Sequence, residues 1–163
     1  MAAKKVKRSE FAAFLNTAKS GAESWARFGK GITSQTISYN PETTQETYID
    51  EDSGSTTLDS YAPTMDGAQT AYAGDAVFDF VDSLRKSRAV GADAETDVLL
   101  VYLYDAQTDN KYAAEKQRVS IQIDDFGGDG GASLSINYTV NFVGESTAGT
   151  VTIAEGVPTF TAT

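Results

Sequence analysis

The sequence predicts a mostly β protein, a β sandwich or open barrel with one flanking α-helix. Apolar and polar residues alternate with a period of two over residues 119–123 and 134–142, which is typical of strands that rest one face on a core. A continuous apolar run over residues 98–104 indicates a strand that is buried on both faces. The clearest helical spacing of apolar residues lies between residues 75 and 90.

The helix is predicted over residues 75–90. Acidic residues lie in its N-terminal half and basic residues in its last turns, an order that complements the helix dipole. Asp75 is expected to cap the first turn, and Gly91 is expected to end the helix. The apolar stripe consists of Val77, Phe78, Val81 and Leu84.

The chain has 163 residues, of which 40% are apolar, and this predicts one folded domain with flexible additions. Residues 1–20 are expected to form a flexible N-terminal arm, because basic and small residues at a terminus have little to hold them. Residues 21–163 are expected to form a single β-sandwich domain. Within it, residues 50–57 are expected to be an exposed loop, because the acids at residues 50–52 repel one another and the Ser-Gly-Ser that follows is flexible.

Charge is unevenly distributed along the chain. The net charge is −10, yet residues 1–30 hold seven basic and two acidic side chains, a net of +5. Residues 31–84 hold ten acidic side chains and no Lys or Arg. One interpretation is a well-solvated surface. The other is a polarised molecule, with a basic arm attached to an acidic body.

The missing residue types exclude several kinds of site. With no cysteine and no histidine, the chain has no disulfide, thiolate zinc site, cysteine nucleophile or Ser-His-Asp triad. Catalysis by carboxylates, Lys or Tyr stays open, but no nucleophile is paired with a base in the sequence, and we expect neither an enzyme nor a bound cofactor or metal. The Gly- and Asp-rich run at residues 124–131 lacks the spacing of a calcium loop and is interpreted as a tight turn, with a cation site as the alternative.

Neither a membrane nor a specific nucleic-acid partner is predicted. No apolar run approaches the length of a membrane span, and the apolar residues after the basic N-terminus are too few for a signal peptide. Four basic residues without a flanking aromatic platform are a weak nucleic-acid signal, and the acidic remainder of the chain would repel phosphate. Trp25 and the eight tyrosines are interpreted as core or interface residues.

Short segments between residues 25 and 160 occur in an order and spacing that resemble one known family. They are residues 48–52 (YIDED), 61–64 (YAPT), 74–75 (GD), 88–97 (RAVGADAETD), 126–131 (FGGDGG), 134–138 (LSINY), 144 (G), 149–152 (GTVT) and 156–160 (GVPTF). Together they resemble the major tail tube protein family of long-tailed bacteriophages with non-contractile tails. The resemblance implies a β sandwich with a flanking helix, similar to the tube protein of type VI secretion.

The resemblance implies a structural role in the virion tail, with assembly in the host cytoplasm. Six copies would form a homohexameric ring around a continuous inner β barrel, and stacked rings would form a hollow tube that conducts the genome into the host cell. The implied partners are other copies of this chain, the tape measure protein, and the tail terminator and initiator proteins. Double-stranded DNA would pass through without specific binding.

The resemblance also implies that the arm, residues 1–20, and a long acidic loop, residues 42–60, hold successive rings together. The residues expected in that contact are Lys4, Lys5, Lys7, Arg8, Asp50, Glu51 and Asp52. Acids that face the channel would repel DNA phosphate and let the genome slide. The candidates for this role are Glu42, Glu46 and Asp59.

Two alternatives remain open at this stage. One is a tube subunit of a contractile tail or of an injection device, which these residues do not distinguish from a non-contractile tail. The other is a secreted β-sandwich binding module or adhesin, which would require a signal peptide and a concave aromatic site.

Overall fold

The computed structural model describes residues 2–108 and 110–163, and in these residues the chain forms ten strands and one α-helix. The helix, α1, spans Ala76–Ser87, and short 3-10 helices span Arg8–Glu10 and Gly91–Ala94. The strands are β1 Phe11–Asn16, β2 Trp25–Arg27, β3 Ile37–Ser38, β4 Pro41–Glu46, β5 Ser55–Tyr61, β6 Thr64–Thr70, β7 Glu95–Ala106, β8 Lys111–Gly127, β9 Ser135–Ala154 and β10 Val157–Ala162. No helix among the described residues is long and apolar enough to cross a membrane.

Eight strands form one antiparallel sheet, which confirms the mostly β fold. Their order is β2-β1-β7-β8-β9-β6-β3, and β10 pairs with the C-terminal half of β9. The β8–β9 register shifts between Lys116 and Arg118, and such irregularities bend a sheet. β10 lies against β2, so that one half of the curved sheet approaches closure as an open barrel.

Two apolar cores lie on opposite faces of the sheet. The larger core is covered by α1, whose buried side chains include Val77 and Val81. β1 and β7 contribute to both cores, because alternate residues of a strand point to opposite faces. The smaller core consists of Ala12, Phe14, Leu99, Val101, Ala114 and Val151. Burial on both faces accounts for the continuous apolar run that was predicted to be a buried strand.

The start of α1 confirms the predicted cap, but its end lies earlier than predicted. Asp75 Oδ2 accepts a hydrogen bond from the Phe78 backbone N–H at 3.0 Å. The helix ends at Ser87, because Arg88 adopts the left-handed conformation with φ 51°. Gly91 was expected to end the helix; it instead opens the 3-10 helix that precedes β7.

The prediction that residues 1–20 form a flexible arm is wrong for β1. Phe11–Asn16 lies inside the sheet between β2 and β7, and Leu15 is fully buried. A strand buried on both faces has no polar alternation, which is why its short apolar run was not predicted as a strand. The arm is therefore confined to the residues before the sheet. It is tied down by Arg8, whose guanidinium donates to the carbonyls of Phe11 at 2.9 Å and Gln35 at 3.2 Å.

The predicted acidic loop at residues 42–60 is a β-hairpin. β4 and β5 pair only with each other, and Thr44 lies opposite Thr57. Cross-strand pairs of β-branched residues favour this structure, so the predicted loop is confined to the turn between Glu46 and Ser55.

The run at residues 124–131 also differs from its prediction, because residues 124–127 continue β8 and the turn begins only after Gly127.

Candidate self-assembly surfaces

Half of the main sheet has a free backbone edge at β8. The pairing of β7 with β8 ends at the contact of Glu95 with Ser120. Residues 121–127 pair with β9 on one side. On their other side, no strand of the described part of the chain pairs with them. Their outward N–H and C=O groups therefore form a template for another strand.

The opposite border of this half-sheet is nearly as open. β3 covers β6 only through the pairs of Ile37 with Met65 and Ser38 with Thr64. Beyond β3, the Gly31 carbonyl accepts from the Thr70 N–H at 2.9 Å. The strands β8, β9, β6 and β3 thus form a unit with two complementary borders, one at each side.

A groove runs beside the free edge of β8. It has a volume of about 570 Å³, and the end of α1 and the following 3-10 helix form its wall. Val90 lies in this wall with 78% of its surface exposed. An exposed apolar side chain next to unpaired backbone is a feature of an interaction surface.

The face of this half-sheet that is turned away from α1 is polar. Asp124 accepts hydrogen bonds from the hydroxyl of Thr139 at 2.8 Å and from the side-chain amide of Gln122 at 2.6 Å. Asp125 accepts from the side-chain amide of Asn137 at 2.6 Å. These contacts hold the carboxylates in fixed positions between β8 and β9, although both remain exposed.

The same polar face continues onto β6 and β7. Asp66 of β6 is exposed and accepts from the Thr36 backbone N–H at 2.8 Å. Arg118 also lies on this face, but it pairs with Asp97 at 3.5 Å and adds no net positive charge. This surface is not evident in the sequence, because Asp66 and Asp124 are distant in the chain and only the sheet brings them to one face.

The β4–β5 hairpin is exposed along its whole length. Its apolar side chains are uncovered, with Ile49 fully exposed at 108%, Tyr48 at 57% and Leu58 at 49%. A two-stranded hairpin on its own is marginally stable in water. The hairpin therefore has the character of an element that packs against another molecule.

The root of the hairpin is fixed by Asn40 and two aromatic rings. Asn40 has a left-handed backbone with φ 47°, and its side-chain amide donates to the Ala62 carbonyl at 3.0 Å. The rings of Tyr39 and Tyr61 meet edge to face at 6.1 Å between centroids. An Asn-Pro dipeptide favours a turn, and the hydrogen bond from Asn40 fixes the turn across the root.

The structure does not bring the predicted inter-ring residues together within one chain. Asp50, Glu51 and Asp52 lie at the exposed hairpin turn, whereas the described part of the basic arm lies next to β1. Lys4 pairs with Glu10 at 2.9 Å. The hydrogen bond from the Lys7 backbone, and then Lys4, hold the pKa of Glu10 below its ordinary value.

The candidate channel acids also lie on the hairpin. Glu42 and Glu46 are on β4, and Asp59 is on β5. Glu46 accepts from the Tyr48 hydroxyl at 2.8 Å, and Asp59 accepts from the Thr44 hydroxyl. No group of three or more acids converges on a metal site in residues 2–108 and 110–163.

The fold of this chain has a counterpart among solved structures. No protein-family model and no curated protein matches the chain. A solved structure does match, a chain in the "Tail of empty GTA particle computed with helical refinement, C6 symmetry", with a TM-score of 0.58 and 16% identity. The match covers 88% of this chain and 98% of that chain. The two chains share a fold. At this identity the likeness extends to the fold alone, and it includes the mostly β architecture with one helix.

Proposed function

We propose that this chain is a structural subunit of a phage tail tube, without catalytic activity. In this proposal, hexameric rings stack into a hollow tube that conducts the genome into the host cell. The proposal rests on the main sheet. Its fold resembles that of a chain in a tail particle, and both borders of its half-sheet are left open. The six-fold symmetry of the matched tail supports six copies per ring.

Ring formation would join the two open borders. The free edge of β8, residues 121–127, would pair with the β3–β6 border of the next copy. This contact is head-to-tail, because each copy uses a different surface on each side, and such contacts close into a ring when the rotation permits. Pairing all the way round would leave no strand edge in the inner barrel.

The polar face of the half-sheet would then line the channel. The opposite face cannot do so, because it packs against α1. Asp66, Asp124 and Asp125 are therefore the acids that we propose to face the DNA. Glu42, Glu46 and Asp59 lie on the hairpin, and we propose that they belong to the contact between rings instead. Carboxylates fixed by hydrogen bonds would repel phosphate and offer the genome no binding site.

Stacking would use the hairpin and the basic arm. The hairpin carries exposed apolar side chains and the acids at residues 50–52, whereas the arm carries Lys4, Lys5, Lys7 and Arg8. Opposite charges on successive rings would set their register. The tape measure protein would occupy the channel during assembly in the host cytoplasm, and terminator and initiator proteins would bind the two ends of the tube in the virion tail.

Electron microscopy of the purified chain at increasing concentration tests this function. We expect six-fold rings, and then tubes with a central channel, because exposed strand edges become satisfied only by other copies. A chain that stays monomeric at every concentration, alone and with the other tail proteins, contradicts the proposal. A tube that binds a contractile sheath would instead assign the same geometry to a contractile tail.

A further inference from the structure

A second cavity, lined by basic and apolar side chains, lies between the start of β1 and the segment that leads to β3. Its volume is about 690 Å³. Phe11, Phe28 and Ile32 contribute apolar surface, and Arg8 and Arg27 contribute positive charge. No Asp or Glu of the described chain lines it.

The polar groups of this cavity are only partly satisfied. Arg8 and Arg27 donate to backbone carbonyls, and neither pairs with a carboxylate within residues 2–108 and 110–163. Gln35, which is 9% exposed, has a buried side-chain nitrogen without an acceptor. Buried polar groups are normally paired, so this wall of the cavity is incomplete in the isolated chain.

The hairpin turn has the complementary chemistry. Ile49 is fully exposed, and three acids follow it at residues 50–52. Residues 41–61 hold six acidic side chains and no Lys or Arg. An apolar side chain next to a group of carboxylates fits an apolar cavity that is bordered by arginines, because guanidinium groups bind carboxylates through strong, charge-assisted hydrogen bonds.

We infer that this cavity, defined by Arg8, Arg27, Phe28 and Gln35, receives the hairpin turn of a second copy of the chain. Ile49 enters the apolar part, and the acids at residues 50–52 pair with Arg8 and Arg27. The inference rests on the proposed tube function and names the receptor for its hairpin. It also assigns Arg27, which lies outside the basic arm, to the contact between rings.

The occupant is a second copy rather than the chain's own hairpin. β4 is six residues long, so its pairing with β5 carries the turn roughly 20 Å from the hairpin root at about 3.3 Å per residue. Gln35 lies two residues before β3 and six residues before β4, on the root side of the hairpin. The turn could reach its own cavity only by breaking the pairing of β4 with β5.

Engineered cysteines test the docking, since the chain has none of its own. Ser34 lines the cavity and is exposed. We expect tubes of the Ile49→Cys, Ser34→Cys chain to give a ladder of disulfide-linked chains on oxidation. A matched chain with Ile49→Cys and Ala148→Cys, whose second cysteine is exposed but outside the cavity, should give none.

A charge reversal provides a second test that needs no cysteine. Arg27→Glu should raise the concentration needed for tubes by roughly tenfold or more, because like charges across an interface are repelled. Adding Asp50→Lys, Glu51→Lys and Asp52→Lys to that chain should restore assembly. Lys111→Glu, on an exposed residue outside the cavity, is the control and should assemble normally.

The outcomes separate this inference from the tube function. Tubes that form without the 49–34 ladder, or an Arg27→Glu chain that assembles like the native one, would overturn the docking and leave the tube intact. A native chain that forms no tubes would overturn the proposed function itself. If the double-cysteine chain does not assemble, the charge reversal decides. Assembly that is restored by the three lysine substitutions in the Arg27→Glu chain supports the docking, and assembly that is not restored contradicts it.

Discussion

Gly67 lies so close to the ring of Tyr138 that no side chain fits between them. An added Cβ would lie 2.2 Å from Cε2 of the ring. The ring cannot easily move, because Tyr138 is 2% exposed and its hydroxyl donates to Gln69 Oε1 at 3.1 Å. This contact between β6 and β9 holds together the half-sheet that we propose to line the channel.

Gly67→Ala should destabilise the chain by about 1–3 kcal/mol, since overpacking forces buried side chains from their preferred positions. For a chain of this size, each kcal/mol lowers Tm by about 2–4 °C. Thermal unfolding followed by circular dichroism measures the shift. Gly29→Ala is the control, because nothing lies within 4 Å of its added Cβ. Equal Tm values for the two variants would show that the contact at Gly67 is not tight.

Tyr138 keeps its proton throughout the physiological pH range. Burial, and to a smaller extent the charge of Asp75, raise the pKa of its hydroxyl above the ordinary value. The hydroxyl therefore continues to donate to Gln69, and the Gln69 side-chain nitrogen donates to Asp75 at 3.1 Å. These hydrogen bonds link β9, β6 and the first turn of α1.

At the scale of elements, the boundary between arm and sheet predicts how truncations behave. Deletion of residues 2–7 leaves β1 and Arg8 in place, so we expect a folded chain that has lost most of its basic arm. Deletion of residues 2–16 removes β1, whose side chains belong to both cores, and should prevent folding. Circular dichroism measures the folding of both truncated chains, and sedimentation measures whether each is compact. Cooperative unfolding of the longer truncation would contradict the role of β1.

The elements that the sequence predicts well have either a one-sided pattern or, like β7, a long continuous apolar run. α1 was predicted from its apolar stripe and its Asp75 cap, and β9 from its alternation, because each rests one face on a core. β1 has neither, since both of its faces are buried and its apolar run is short. The hairpin lacks a one-sided pattern for the opposite reason, since both of its faces are exposed in the single chain.

At the scale of the whole molecule, the candidate surfaces could not be predicted from local patterns. The free edge of β8 exists because β7 ends its pairing at Ser120, and that register depends on the entire sheet. The cavity that contains Arg8 and Arg27 requires β1, which was expected to be part of a flexible arm. The charge division between residues 1–30 and residues 31–84 was visible in the sequence, but not the surface to which each charge belongs.

The isolated chain thus combines a complete core with incomplete borders. The core is closed by α1 and by the curvature of β8 and β9. The backbone edge at residues 121–127, the β3–β6 border and the hairpin remain uncovered. In the proposed tube, assembly would satisfy the backbone groups that folding leaves unpaired at these borders.

Amide hydrogen exchange at residues 121–127 tests the pairing of strand borders most directly. In the isolated chain, the amides that point to the free edge should exchange rapidly, since protection requires a hydrogen-bond partner. In assembled rings, the same amides should become strongly protected, whereas residues 136–140 in the centre of the sheet should be protected in both states. Equally rapid exchange at residues 121–127 in rings and in the isolated chain would contradict the account.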